Sequence, residues 1–478
     1  MNHNIYVMQQ PAFFWKALPA LILVIAMLTA GVVLPFVPRE YAPVVILIPL
    51  ILAAGVVIMI RPELAMYLSI AYVPFESSLF HPIDLPGSLT VSKLLGVLLI
   101  GVFFFNIMFL RRPFRLFDDS QDFAVLLFVV VMLFSAITGF YIPQVGKSVI
   151  RMLRLVAFYL AVKNLLHSPT ALLTTMWVIV LSVTAASIFG ILEFYEAQQV
   201  REHNIRVRGV YMDPNEYSAI ALIAAVIGIY LLLVMRRRVW RLVLLGCVAT
   251  LLTGVVMSGS RGGLVSLFTL GLVTIWRQPR RWFWLGLSAC ILLASLPFWP
   301  DTVKDRVLWS ELGSGTLVSK SAQDSIARRL SYLSFGRELI SEKPWLGVGY
   351  GAYAEYYPLS EYARFENPLK DKDRFRVAHN SYLEIASSMG LLGLGAYLLI
   401  LFTAWRDLRQ LRCILPRQRL LWAPANAFEL ALIGFMFSSA FLSIEHFNYL
   451  WIILAVSSSL AYLSQLDAAS QPALRPTN

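Results

Sequence analysis

Runs of about 20 predominantly apolar residues, the length that crosses a bilayer as a helix, recur along most of this chain. Short clusters of arginine separate them. Candidate spans lie near 17–37, 42–60, 64–80, 91–110, 122–142, 148–166, 171–195, 215–235, 242–258, 262–276, 282–300, 380–404, 426–446 and 447–465. Of the 478 residues, 58% are hydrophobic and 14% charged, more apolar surface than a soluble core of this size can hide. The expected fold class is therefore an all-α polytopic membrane protein with about fourteen transmembrane helices, twelve as the lower bound.

The arginine clusters orient the path. "RRPFR" at 111–115, "RRRVWR" at 236–241, "RQPRR" at 277–281 and "RDLRQLRCILPRQR" at 406–419 should all face the cytoplasm. An alternating path satisfies all four, with both termini inside. The 35 residues from Leu242 to Trp276 must then cross out and back as two short spans. Their turn falls on "SGSRGG", which sets Arg261 at the outer rim. The net charge of +12 is explained by this retained arginine, so the basic balance carries no nucleic-acid role. The three cysteines, Cys247 and Cys290 in apolar runs and Cys413 in a basic loop, supply no disulfide framework.

Five segments follow. Residues 1–200 read as an N-terminal transmembrane bundle, 201–300 as a transmembrane core, and 301–379 as a large extracytoplasmic loop. Residues 380–465 read as C-terminal transmembrane helices and 466–478 as a disordered cytoplasmic tail. Within the loop, Ile326, Leu330, Leu333 and Ile340 recur at helical spacing, which predicts an amphipathic helix from about Asp324 to Ser341. Pro344 and a glycine-rich turn end it, and its apolar stripe suits the membrane surface.

Three outward-facing places hold groups that are costly beside lipid. In "RVRGVYMDPNEYSA", residues 206–219, Asp213 suits a helix cap and Pro214 the first helical position. There Arg206 and Arg208 either touch lipid phosphates or hold a ligand, with Asn215 close by. Arg261 is either a snorkelling side chain at a hairpin tip or a ligand group between glycines. In "HNSYLEIASSMG", His379 is an imidazole at the start of a span, Asn380 a candidate cap, and Glu384 lies four residues on, upon the same helical face. That face must point at protein or water, because a carboxylate is expensive in lipid. The outer rim thus gathers guanidinium groups and an imidazole with no convincing metal-ligand spacing; "DKD" at 371–373 reads as a solvated loop. Neither a metal nor another cofactor is expected. Guanidinium forks match phosphate oxygens two at a time, and an imidazole can take a proton from a hydroxyl near neutral pH. Such a set suits a diphosphate.

At these residues the chain resembles the O-antigen ligase and polymerase superfamily of bacterial envelope glycan enzymes. "RGVYMDPNEYSA", "SGSRGGLVSL", "RRLSYLSFGRELISEKPWLGVGYGAY" and "HNSYLEIASSMGLLGLGAYL" are similar to its motifs and occur in its order, over residues 206–404. The resemblance implies a GT-C-like, metal-independent, inverting transferase of the inner membrane with its active site on the periplasmic side. Its donor would be a glycan on undecaprenyl diphosphate and its acceptor a sugar hydroxyl on a glycan or lipid core. Envelope polysaccharide assembly proteins would be its protein partners. Carried over by position, Arg208, Arg261 and Arg329 would hold the diphosphate, His379 would activate the acceptor, and Asn215 and Asn380 would orient the set. Leu333 stands where the family has an aromatic residue, with Tyr332 one place before it, so Arg328 and Arg329 both remain candidates. The competing class is a transporter such as a lipid-linked oligosaccharide flippase. Transporter sites lie near the bilayer midplane, often between related halves, whereas these polar groups gather at one rim and no duplicated half is detected.

Overall fold

The computed structural model describes residues 55, 57–59, 61–76, 90–109, 114–139, 141–199, 206–210, 213–277, 280–295, 297, 317–365, 376–416 and 420–469. The expected span 17–37, nearly all of 42–60, the "DKD" loop and the tail beyond 469 lie outside these residues.

The described chain is helical, without strands. In order the main helices are α1 (Glu63–Tyr72), α2 (Val91–Met108), α3 (Ser120–Thr138), α4 (Pro143–Leu165), α5 (Pro169–Gln199), α6 (Pro214–Val234), α7 (Arg238–Met257), α8 (Arg261–Trp276) and α9 (Arg281–Ser295). The rest are α10 (Leu317–Glu342), α11 (Ser381–Ile414), α12 (Trp422–Ser439) and α13 (Asn448–Ala469). Seven are long and apolar enough to cross a membrane, by length and composition: α2, α3, α5, α6, α7, α11 and α13. Two shorter apolar helices, Glu63–Phe75 and Arg261–Trp276, accompany them. α4, α9 and α12 stand where spans were expected and are not among the seven. In α4 the charges Lys147, Arg151, Arg154 and Lys163 interrupt the apolar run.

Several boundaries differ from expectation for identifiable reasons. α11 continues through "RDLRQLRC" to Ile414, because that stretch is made of good helix formers, and Cys413 is helical rather than in a loop. α12 stops at Ser439, well short of the expected 446, and leaves 440–447 as an irregular turn. α13 runs to Ala469, into the segment expected to be a disordered tail.

Helix directions follow from pairs along the seams. Gln121 of α3 meets the Ile400 carbonyl and Thr403 of α11, while Ser135 donates to the Ser388 carbonyl at 2.8 Å. α3 and α11 are thus antiparallel. Ser266 meets Ser438, and Arg277 grips Glu429 at 3.0 and 3.1 Å, so α8 and α12 are antiparallel too. Followed through, these seams put Arg115, Arg277 and Arg406–Arg412 at one end of the bundle. The turn before Arg261 and the start of α11 lie at the other.

The basic end is closed by ion pairs. The buried Glu429 carboxylate accepts from Arg277 and also lies 2.6 Å from Arg412, which ties α8, α11 and α12 together. Lys163 is wholly buried among Asp118, Asp119 and Asp122. These three carboxylates have ligand-like spacing. The Lys163 ammonium already supplies the positive charge they need, and Tyr159 donates to Asp122 at 2.7 Å, so the cluster reads as a structural node.

Candidate functional site

At the opposite end three stretches converge, each folded by its own local chemistry. The first is 206–215. Asp213 caps α6 by accepting from Asn215 N–H at 2.6 Å, and Pro214 takes the first helical position, as the sequence predicts. The Asn215 side chain accepts from Arg206 at 3.1 Å. The same guanidinium donates to the Ser258 carbonyl at 2.6 Å, and Val207 N–H reaches the Met257 carbonyl. Arg206 therefore latches this loop to the turn after α7.

That turn is the second stretch. Gly259 takes φ +57°, where a side chain would be strained, and Ser260 then caps α8 by accepting from Gly263 N–H at 3.1 Å. Arg261 is the first residue of α8 and exposed. Gly263 lies against Ser218 of α6, and Gly262 lies so close to Phe441 that a methyl there would meet the Phe441 Cβ at 3.2 Å.

The third is the start of α11. Asn380 caps it, accepting from Leu383 N–H at 3.0 Å. His379, just outside the cap, holds φ +49°, a left-handed conformation that costs a non-glycine residue about 1–2 kcal/mol. Glu384 offsets that strain. Its carboxylate is buried, accepts the Ala378 N–H at 2.7 Å and takes a hydrogen bond from Ser443 at 3.3 Å. The expectation that its face meets protein or water rather than lipid holds. Glu384→Ala would leave a buried N–H without a partner, a loss of about 1–3 kcal/mol. A lower melting temperature for that variant, restored by Glu384→Gln, whose amide oxygen can still accept, is the expected result in a thermal-shift measurement. Equal melting of the Ala variant and the parent would show that the brace is not needed.

α10 approaches the same place. The Tyr332 ring lies 5.7 Å from the His379 ring, tilted by 35°. The helix extends from Leu317 to Glu342, longer than the expected 324–341. Two expected stripe residues, Leu330 and Leu333, are exposed at 58% and 45%, which suits a membrane-facing side. The packing face is formed by Tyr332, Phe335 and Leu339, set against Tyr353 and Tyr357. Burial pushes the Tyr353 hydroxyl well above its usual range, with the nearby Glu384 charge adding to it. It stays protonated and donates to the Tyr332 carbonyl at 2.9 Å. Arg328 and Arg329 are both half-buried one turn earlier.

The glycine-rich turn after Pro344 locks α10 to α11. α11 breaks at Gly390, φ +68°, where the Trp345 carbonyl leaves no room for a side chain. Backbone groups freed by the break are taken up across the gap: Leu391 N–H by the Pro344 carbonyl at 2.7 Å, and the Ser387 and Ser388 carbonyls by Val348 and Gly349 N–H. This arrangement fixes where Tyr332 meets His379.

The turn 440–447, expected to be helical, joins the stretches. Phe441 abuts Gly262 beside Arg261, and the Leu442 carbonyl accepts both the N–H and the hydroxyl of Ser381, two residues after His379. Ser381 in turn accepts from Ile444 N–H at 2.8 Å. Here stand two residues that sequence reasoning passed over, Glu445 and His446, with His446 Nδ1 3.3 Å from the Glu445 carboxylate. Glu445 is buried with one oxygen unpartnered, and both groups lie within electrostatic reach of Glu216 on α6. Adjacent titratable residues inside an apolar run, "SIEHFNY", were the signal available.

Of the sequence candidates, Arg206, Asn215, Arg261, His379, Asn380 and Glu384 are therefore linked through neighbouring contacts. Arg208 points elsewhere, 2.7 Å from Glu193 of α5 in a half-exposed pair.

Residues 246–398 match the family model described as O-antigen ligase. Over this stretch the chain is similar to the O-antigen ligase family. The matched stretch contains Arg261, Arg328, Arg329 and His379, while Arg206, Asn215 and the 440–447 turn fall outside it. No curated protein matches the chain. The seven apolar helices and this match together mark a multi-pass membrane protein with an O-antigen-ligase-like stretch.

Proposed function

We propose that the protein is an inverting, metal-independent glycan transferase that moves an undecaprenyl-diphosphate-linked saccharide onto a sugar hydroxyl at the periplasmic face of the inner membrane. The proposed topology has about fourteen crossings in a GT-C-like arrangement, with both termini cytoplasmic and 301–379 periplasmic. One observation carries the reading: the Arg261 turn and the His379 helix start both pack on the same 440–444 turn, with Arg206 latched to the first of them.

In this reading His379 accepts the proton of the acceptor hydroxyl as that oxygen attacks the anomeric carbon. The bond from that carbon to the diphosphate oxygen breaks, its electron pair stays with the diphosphate, and one direct displacement inverts the centre. Charge on the leaving diphosphate is met by Arg261, by Arg329 or Arg328 from α10, and by Arg208. Its exposed pair with Glu193 is worth about 0–1 kcal/mol and is readily exchanged for phosphate. Arg206 and Asn215 hold the turn that aims Arg261. Tyr332 sets the plane of the imidazole, and Asn380 and Glu384 fix its backbone. Pre-aimed guanidinium groups neutralise a diphosphate in the role a divalent ion plays elsewhere.

The deciding experiment supplies purified protein with undecaprenyl-diphosphate glycan in EDTA, with and without a lipid-core acceptor. Transfer undiminished by EDTA, with an inverted linkage, is expected. Product length and acceptor dependence then assign a polymerase or a ligase. An intact donor that crosses proteoliposomes would instead mark a lipid-linked oligosaccharide flippase.

A further inference from the structure

Beyond the His379 region, α10 carries a second feature that the transfer chemistry does not use. Its later turns and the helical turns at 356–362 enclose a partly open cleft of about 740 Å³, within the size range of small-molecule sites. Three aromatic rings, Phe335, Tyr356 and Tyr362, and three carboxylates, Glu338, Glu342 and Glu361, supply most of its wall. The Glu338 carboxylate accepts from the Tyr362 hydroxyl, which puts ring and carboxylate side by side.

The chemistry of that wall narrows the occupant. No basic side chain lines the cleft among the described residues, so phosphate, carboxylate and sulfate groups are disfavoured. A purely apolar chain would have to desolvate carboxylates and gain nothing for it. Carboxylates accept hydrogen bonds and donate none, which suits ligands rich in hydroxyl or ammonium donors. Flat aromatic faces complement the C–H faces of a pyranose, and their polar tips stay wet. A saccharide without acidic groups meets all of these terms. Tyr332, against His379, and Glu338 to Glu342 lie on one helix, about 9–15 Å apart at 1.5 Å per residue. That is beyond the reacting sugar and within reach of the same short chain.

We propose that this cleft is a glycan subsite that holds a neutral or amino-sugar stretch of the saccharide, and that its three glutamates select against acidic sugars. The inference rests on the transferase reading and names the substrate class that site would take.

The test uses the full-length protein in nanodiscs and three tetrasaccharide probes: N-acetylated chitotetraose, its deacetylated cationic form, and tetragalacturonate. Wild type is expected to bind the cationic probe best, the neutral one next and the anionic one least. Tyr356→Ala should weaken the neutral probe about tenfold. Joint conversion Glu338→Gln, Glu342→Gln and Glu361→Gln should erase the preference of the cationic probe over the anionic one. His379→Ala should bind all three probes as wild type does, which separates this subsite from the transfer step. In transfer assays with a neutral glycan, Tyr356→Ala should raise KM and leave kcat near its parent value. A raised KM for the donor alone assigns the cleft to the donor chain, and one for the acceptor alone assigns it to the acceptor. An unchanged charge order in the triple variant, or equal binding by Tyr356→Ala, overturns the subsite even if wild type transfers glycan. If wild type transfers nothing yet the probes follow the expected order, the transfer reading fails and the cleft stands as a saccharide site.

Discussion

His379→Ala should abolish glycan transfer, with kcat falling by about 10²–10⁴, the range a positioned general base contributes. The protein should remain folded, because the imidazole is only half-buried and stands outside the helix cap beside the Tyr332 ring. Removing it also relieves little backbone strain, since alanine tolerates φ near +49° no better than histidine. Activity loss with an unaltered melting curve is therefore the expected pair of results. The measurement is single-turnover transfer from a lipid-linked donor beside thermal unfolding of the same preparation. Full activity in the Ala variant would remove His379 from the mechanism and turn attention to His446, the other imidazole on the turn that braces it.

Arg261→Lys should reduce kcat/KM by about 10²–10³, comparable to the loss of a preorganised donor aimed at developing charge. The charge is kept, so any loss reports geometry. A guanidinium offers parallel N–H groups to two oxygens of one phosphate, and an ammonium offers a single point. Stability should hardly change, because Arg261 is exposed and the turn beneath it is fixed by Gly259, Ser260 and Arg206. Near-normal turnover in the Lys variant would return Arg261 to the role of a snorkelling side chain at a hairpin tip.

Much of this site is legible from local rules. Asp213 and Asn380 are caps because their short side chains reach back to the backbone two or three residues on, and that needs no tertiary context. The turn at Arg261 follows from 35 residues having to cross twice between basic clusters, and it falls where Gly259 can take a left-handed conformation. The roles within the arginine pair were not legible. Arg206 and Arg208 are two residues apart, and only the fold puts the Ser258 carbonyl beside one and Glu193 beside the other. The packing face of α10 was not legible either, for a related reason. Leucines at helical spacing can face lipid as well as protein: Leu330 and Leu333 are exposed, whereas Tyr332, Phe335 and Leu339 hold the core contacts.

The sequence alone determined that the chain is a helical membrane protein with a cation-bearing rim, because bilayer thickness and the cost of burying charge act on every residue wherever it ends up. Tertiary structure alone decided that the 440–447 turn is the joint of the site, that Glu384 braces His379 from behind, and that α11 breaks at Gly390. Those facts rest on contacts between segments as far apart in sequence as Gly262 and Phe441. Which distant backbone groups find one another depends on how the helices pack, and no local pattern encodes that.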